Sequence, residues 1–313
     1  MNGELIIFSG RAHRVLAQEI SDHLNVPLGR VKCFNFSDGE IFCQLQENVR
    51  GADTYVVQPT CTPVNDNLME LLIMLDAIKR SSADRVTAVI PYYGYARQDK
   101  KDAPRVPITA KLVADLLSQA GADRILTMDL HAAQIQAYFD MPVDHLFAAP
   151  VLLEAIRKLN LPDLVIVSPD AGGVERARAI AKRLNADLAI VDKRRTAPNE
   201  ANVMHVIGDV KDRPVLILDD IIDTAGTLTH TVNALIEKGA SRVFAAAVHG
   251  VLSGPALERL QEAPIDRVLI TNTTPLDEKL RRCEKLEPLS VGSLLGDAIL
   301  RIHRNSSVSS LFV

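Results

Sequence analysis

The stretch Val215–Leu228, VLILDDIIDTAGTL, decides the fold. Val215–Leu218 is uninterrupted aliphatic sequence, as expected of a strand buried on both faces of a parallel sheet. Asp219 and Asp220 follow, then Asp223-Thr224-Ala225-Gly226-Thr227, then a helical pattern. In open α/β sheets, ligands sit beyond the carboxyl ends of the strands. A turn with Gly226 that opens a helix presents backbone N–H groups and the positive end of a helix dipole, and both suit a phosphate. Thr224 and Thr227 add hydroxyl donors. Asp219 and Asp220 cannot face that phosphate without repulsion; they suit vicinal hydroxyls or a metal-bridged ligand. Hydroxyls and a phosphate a few ångströms apart describe a ribose phosphate. The plainer alternative is an acidic β-to-α turn with a threonine N-cap.

Outward from this segment, short β-branched runs alternate with longer helical patterns. Strands are expected at Leu5–Phe8, Thr54–Gln58, Arg85–Ile90, Arg124–Met128, Leu164–Val167, Leu188–Val191, Val215–Leu218, Arg242–Val248 and Arg267–Thr271. Helices are expected at Val15–Leu24, Asn67–Lys79, Thr109–Ser118, Pro150–Leu159, Val174–Leu184, Leu228–Glu237 and Pro255–Leu260, with glycine stops at Gly121 and Gly239. The class is α/β, with parallel sheets flanked by helices. The length of 313 residues suits two domains. Pro142 and Pro150 mark a boundary, giving residues 1–147 and 148–313, with the last helix and tail packing back on the first domain.

Hydrophobic residues make up 47% and charged residues 24% of the chain, the balance of a globular protein. A formal net charge of −4 supplies no basic field for nucleic acid, so any phosphate chemistry rests on local sites. The richest apolar run, Leu68–Ile78, contains Glu70 and Asp76 and is no membrane span. The N-terminus does not read as a signal peptide, and a cytoplasmic location is the expectation. Cys33, Cys43, Cys61 and Cys283 show neither CxxC spacing nor a metal-ligand grouping, so they are expected as thiols. Walker A and GxGxxG sequences are absent, so neither a P-loop kinase nor a dinucleotide enzyme is supported.

Other stretches carry chemistry in weaker form. His131 follows Asp129 at the end of a strand, and Asp170 stands in a similar place before Gly172 and Gly173. One imidazole and one carboxylate could hold a Mg²⁺ whose remaining ligands are phosphates and water. Arg97 and Gln98 follow three tyrosines; they suit a nucleotide phosphate or are simply a solvated basic loop. Phe36, Asp38 and Glu40 alternate, which could place Asp38 and Glu40 on one face of a hairpin, as a plain hairpin or as a base-stacking one. Lys193, Arg194 and Arg195 form a basic cluster before TAPNEANVMH, which reads as a mobile loop able to close over a polyphosphate, or as a solvated charge run.

Taken in order, FSDGE (Phe36–Glu40), YARQDKK (Tyr95–Lys101), RVPITAK (Arg105–Lys111), TMDLHA (Thr127–Ala132), SPDAGG (Ser168–Gly173), DKRR (Asp192–Arg195) and the Asp219–Thr227 fingerprint resemble the class I ribose-phosphate pyrophosphokinase family, the phosphoribosyl pyrophosphate synthases. The resemblance runs from FSG near residue 8 to the final SVSSLF. It implies two tandem type I phosphoribosyltransferase-like domains, the first on the ATP side and the second binding ribose 5-phosphate. It implies transfer of the β,γ-pyrophosphoryl group of Mg-ATP to the anomeric hydroxyl of ribose 5-phosphate. It makes Lys193 and Arg195 the catalytic pair and assigns Mg²⁺ to His131 and Asp170. ATP falls to Phe36, Asp38, Gly39, Glu40, Arg97 and Gln98, the hairpin being supplied by a neighbouring subunit. Ribose 5-phosphate falls to Arg195, Asp219, Asp220, Asp223, Thr224, Ala225, Gly226 and Thr227. A homo-oligomer, a hexamer of dimers, is implied, as is a phosphate and ADP effector site near Arg50, Arg105, Ser307 and Ser309. Three competitors share parts of this pattern: a phosphoribosyltransferase, a non-catalytic regulatory homologue and a receiver-like phospho-acceptor module. His131 and YARQDKK argue against the first, retention of His131, Asp170, Lys193 and Arg195 against the second, and chain length against the third.

Overall fold

The computed structural model describes residues 3–194 and 203–311, and the chain divides into two compact units. Met1–Phe147, Thr273–Pro275 and Ser290–Val313 form the first, Ala148–Asn272 and Leu276–Leu289 the second. The chain therefore leaves the first unit after Phe147 and returns to it at its end.

In the first unit the order is β1 (Leu5–Ser9), α1 (Arg14–Leu24), β2 (Val31–Asn35), β3 (Ile41–Leu45), β4 (Asp53–Val57), α2 (Val64–Arg80), β5 (Arg85–Ile90), α3 (Thr109–Gln119), β6 (Arg124–Met128) and β7 (Val143–Leu146). Among the described residues, the sheet runs β1-β4-β5-β6-β7, with every pairing parallel. The strands β2 and β3 pair apart from it as an antiparallel hairpin. The apolar runs read from the sequence are buried: Tyr55, Val56 and Val57 of β4 and Val86, Ala88, Val89 and Ile90 of β5 are closed to solvent. Leu71, Met74, Leu75 and Ile78 of α2 recur at helical spacing and pack in one core with Val56, Val86, Ala88 and Ile90. Glu70, also buried, accepts from the Arg11 N–H at 2.6 Å, from Arg11 Nε and from Gln58 Nε2 at 3.2 Å, which offsets the cost of burying a carboxylate.

The second unit continues with α4 (Ala149–Lys158), β8 (Val165–Ser168), α5 (Val174–Leu184), β9 (Asp187–Arg194), β10 (Val203–Ile207), β11 (Pro214–Ile222), α6 (Gly226–Glu237), β12 (Arg242–Gly250), α7 (Ala256–Glu262), β13 (Arg267–Thr271), α8 (Asp277–Arg282) and β14 (Leu286–Leu289). Its sheet order among the described residues is β10-β9-β8-β11-β12-β13-β14, parallel throughout except for β10 against β9. Strand β11 stands in the middle, so the segment that decides the fold is the central strand of its sheet.

Strand β7 was not read from the sequence; the last helix, expected without bounds, is α9 (Gly292–His303) and packs on α1. Gly296 permits this approach, since a Cβ there would lie 2.7 Å from the His23 ring. His23 Nε2 and Asp297 Oδ1 pair at 2.8 Å alongside. At the far end of α9, His303 Nδ1 meets buried Asp53 at 2.8 Å, and Arg85 Nη2 donates to the Ile302 carbonyl at 3.1 Å. Asp53 also accepts two bonds from Arg85, at 2.8 and 2.6 Å, and one from the Tyr55 hydroxyl at 3.0 Å. Among the described residues no helix is long and apolar enough to cross a membrane.

The cysteine expectation fails at two positions. Cys33 and Cys43 are directly opposed in the β2–β3 register, with Cα atoms 4.3 Å apart, and form a disulfide. Sequence spacing could not reveal this, because it depends on where the hairpin turns. Cys61 and Cys283 are buried thiols.

Candidate active site

Strand β11 extends beyond Leu218, where the apolar run ends, and stays in register with β12 through Ile222 and Gly250. Asp219 and Asp220 therefore lie within the carboxyl-terminal part of the strand, before Ile221 and Ile222, and not in the loop. Their side chains alternate, and the Asp220 N–H donates to Asp219 Oδ1 at 2.8 Å. Asp220 is buried and faces Arg176 of α5, with Nη1 and Oδ1 3.4 Å apart. The carboxyl of Asp219 is pushed up to about 8, first by burial, then by hydrogen bonding and charge from Asp220, and also by the charge of Asp170.

The loop that follows turns at Ala225, whose φ of +58° is left-handed, and α6 begins at Gly226. Neither Thr224 nor Thr227 caps the helix: Ala225 occupies the N-cap and contributes no side-chain bond. The plainer alternative, a threonine cap, is not what forms: the helix starts with first N–H groups left to a ligand or solvent. From behind, the connection after β12 braces the loop. The Leu252 N–H donates to the Ile222 carbonyl and the Ser253 N–H to the Asp223 carbonyl, both at 3.0 Å. Ser253 Oγ bonds Asp223 Oδ1, and Arg259 Nη1 donates to the Thr224 carbonyl at 2.9 Å.

On the adjacent strand, β8 ends at Ser168, and Asp170 shapes the turn into α5. Asp170 Oδ1 accepts the Gly173 N–H at 2.9 Å, and Ser168 Oγ donates to the Asp170 carbonyl at 2.7 Å. A Cβ on Gly173 would stand 2.9 Å from Ser168 Oγ, so glycine is what allows this tight turn. Because β8 and β11 are neighbours, one sheet edge carries Asp170, Asp219 and Asp220 with Arg176 among them. Such an edge suits hydroxyl donors and a hard cation.

Lys193 and Arg194 do not stand in the expected loop. Strand β9 runs through Arg194 and β10 returns from Val203, so Lys193 is paired with Met204. Backbone pairing across a hairpin overrides the weak periodicity on which the loop reading relied. Arg195 lies outside the described residues.

In the first unit, His131 is exposed just beyond the end of β6. The chain is set there by Asp129, at φ +38°, whose N–H donates to the Leu146 carbonyl at 2.9 Å. His145 Nε2 accepts the Leu130 N–H at 2.9 Å. Arg97 and Gln98 are exposed in the long connection between β5 and α3. That connection is braced: the Gln98 N–H donates to the Tyr95 carbonyl at 3.0 Å, Thr109 Oγ1 to Gln98 Oε1 at 2.5 Å, and the Tyr93 hydroxyl to the Ala110 carbonyl at 3.0 Å.

At the hairpin tip, Phe36 is 48% exposed and packs edge-on against Phe34 and Phe42, with centroids 5.2 and 5.9 Å away. Asp38 and Gly39 form the turn, Gly39 at φ +95°, and Asp38 Oδ1 accepts the Glu40 N–H at 3.0 Å. The alternation argument for Asp38 and Glu40 therefore does not apply, because these residues are turn and not strand. All three side chains are nonetheless presented at one exposed tip. Sequence reasoning missed Arg176, Ser253 and Arg259. The turn signal Ser253-Gly254-Pro255, at the carboxyl end of the strand next to β11, was available to find the second.

Residues 5–121 match the family described as the N-terminal domain of ribose phosphate pyrophosphokinase, and residues 192–313 the phosphoribosyl synthetase-associated domain. A ribose-phosphate pyrophosphokinase from Nitrosomonas europaea is 53% identical over 310 residues, covering 99% of this chain and 98% of the relative. One from Gloeobacter violaceus is 56% identical over 98% of this chain and 93% of its own length. The crystal structure of phosphoribosylpyrophosphate synthetase from Mycobacterium smegmatis superposes with a TM-score of 0.91 at 45% identity, covering 97% of this chain and all of that one.

Proposed function

The chain belongs to the ribose-phosphate pyrophosphokinase family, and from that premise we propose how its residues divide the reaction. The enzyme transfers the β,γ-pyrophosphoryl group of ATP to the anomeric hydroxyl of ribose 5-phosphate, giving phosphoribosyl pyrophosphate and AMP for nucleotide biosynthesis. The sugar phosphate is received by Asp223–Thr227 at the start of α6, and its hydroxyls by Asp219 and Asp220. The observation that carries this reading is the uncapped helix start that follows the acidic pair on the central strand after one short loop. It supplies N–H donors for the phosphate and acceptors for the diol within one turn of chain.

ATP is assigned to Arg97 and Gln98, with the base against Phe36, Asp38, Gly39 and Glu40 from a neighbouring copy in a homo-oligomer, a hexamer of dimers. His131 and Asp170 are the residues that would hold Mg²⁺. Among the described residues no three His, Cys, Asp or Glu side chains form a ligand group, and Mg²⁺ readily takes its remaining ligands from phosphate and water. When bound, the ion supplies charge neutralisation on phosphate oxygens. The anomeric oxygen attacks the β-phosphorus as its proton passes to water, the bond to the α-phosphate oxygen breaks, and AMP departs with the electron pair. Lys193 and Arg195 stabilise the charge on the transferred group and the leaving oxygen. Positioning and electrostatics then supply most of the rate.

The test is direct: ATP, ribose 5-phosphate and Mg²⁺ should yield AMP. Formation of ADP, or no turnover, defeats the proposal. Loss of AMP release in Lys193→Ala with ribose 5-phosphate binding retained would support the division of roles.

A further inference from the structure

A trans peptide directs its C=O and its N–H to opposite sides, so a carbonyl tied on one side aims the next residue's N–H to the other. Three consecutive carbonyls of the sugar-phosphate loop are tied in this way. Ile222 and Asp223 accept from the Leu252 and Ser253 N–H groups, each at 3.0 Å, and Thr224 accepts from Arg259 Nη1 at 2.9 Å. The N–H groups so aimed belong to Asp223, Thr224 and Ala225. The first two tethers are backbone to backbone, built into the connection between β12 and α7. The third is a side chain. It acts on the peptide that leads into Ala225, where the chain takes a left-handed φ of +58° that a non-glycine residue adopts at a cost. Arg259 also lies against the helix start, since a Cβ on Gly226 would stand 3.3 Å from Nη1. Its charge therefore sits behind the N–H groups, with the same sign as the helix dipole's positive end.

We infer that Arg259 is a positioning residue for the sugar phosphate: it holds the Thr224–Ala225 peptide with the N–H turned to the binding side and adds positive charge behind it. This rests on the reading of Asp223–Thr227 as the ribose 5-phosphate loop. Arg259 is exposed on α7, so its removal leaves the core untouched. The aspartates of the site hold the sugar ring; Arg259 would act only through the loop that holds the phosphate.

The experiment compares Arg259→Met, which keeps the aliphatic stem, with Arg259→Lys, which keeps the charge. AMP release is measured with each substrate varied, and ribose 5-phosphate binding is titrated calorimetrically. In Arg259→Met the KM and Kd for ribose 5-phosphate should rise about tenfold, the equivalent of one lost charge-assisted hydrogen bond. The KM for ATP should move by less than about twofold, and Arg259→Lys should recover part of the loss. Unchanged ribose 5-phosphate affinity in Arg259→Met, or an equal rise in the KM for ATP, overturns the inference. Should Arg259→Met fail to fold, Arg259→Gln, which keeps a donor without the charge, is read in the same way. If the unsubstituted enzyme releases no AMP, the reaction assignment fails instead, and the calorimetric titration alone still decides the role of Arg259.

Discussion

Asp219→Asn should stabilise the protein, and by more as the pH rises. The carboxyl is pushed up from its ordinary 3.8 to about 8, chiefly by burial and then by Asp220. Between those values the folded protein holds a proton that the unfolded chain has released, so acid favours the fold. The stabilisation is complete below about pH 4 and is lost as the pH rises through about 8. Asparagine has the shape of the neutral acid and never ionises. At about pH 4 the two proteins should thus melt almost together, and they separate above it. From pH 5 to pH 7, about 1.4 kcal/mol per pH unit sets a ceiling of about 3 kcal/mol on the growing difference. Sharing of the proton with Asp220 lowers this toward about 1 kcal/mol. The corresponding gain in Tm is about 3 to 10 °C at pH 7 over that at pH 5. Scanning calorimetry across pH 5 to 8 measures it, and ribose 5-phosphate affinity should fall in the same variant at every pH. A Tm difference that is constant with pH, or a destabilisation that grows with pH, would refute the reasoning. It would mean that Asp219 is not the carboxyl that carries the proton.

Asp53→Asn should lower stability by about 3 to 5 kcal/mol, read as a shift in the urea midpoint, because the anion that joins Arg85, Tyr55 and His303 is removed from a buried site. Hydrogen exchange in that variant should accelerate first in α9, and uniform exchange would contradict the anchoring role of Asp53. His131→Ala should reduce kcat/KM for Mg-ATP at least about tenfold while calorimetric ribose 5-phosphate binding is unchanged. An unaltered Mg²⁺ titration would remove His131 from the metal-binding set. Denatured without reductant, the protein should show the thiols of Cys61 and Cys283 alone, and all four cysteines after reduction.

The α/β class was readable because a parallel sheet buries both faces of its strands, leaving continuous apolar runs such as Arg85–Ile90, Arg124–Met128 and Arg267–Thr271, whose ends the structure reproduces. The sugar-phosphate segment was legible for a related reason: its acidic pair, small residues and helix are consecutive in sequence. What escaped depends on partners distant in sequence. The extension of β9 through Arg194 requires β10, and Val203–Ile207 carries no independent strand signal strong enough to announce it. The disulfide required the turn at Asp38-Gly39 to be located before Cys33 and Cys43 could be opposed. A last helix packing on the first domain was expected, but its partner, α1, lies at the other end of the sequence and could not be named from it. Arg259 looks like any solvent-facing arginine until its bond to the Thr224 carbonyl is known. The roles of Lys193, Arg195, Phe36 and Gln98 came from likeness to a family, since their local chemistry fits several uses.

The return of the chain to its first unit has a consequence for synthesis. Residues up to Phe147 leave the ribosome long before Ser290–Val313, yet α1 packs against α9 and Asp53 waits for His303. At roughly 5 to 20 residues per second, that interval is on the order of 10 to 30 s. Throughout it, the α1 face and the Asp53 carboxylate have no native partner from the chain's end. The second unit needs nothing beyond Leu289 and is free to fold before the first is finished. A chain truncated before Gly292 and released should therefore expose its first unit to proteases and chaperones, while the second unit, whose last residue is Leu289, closes.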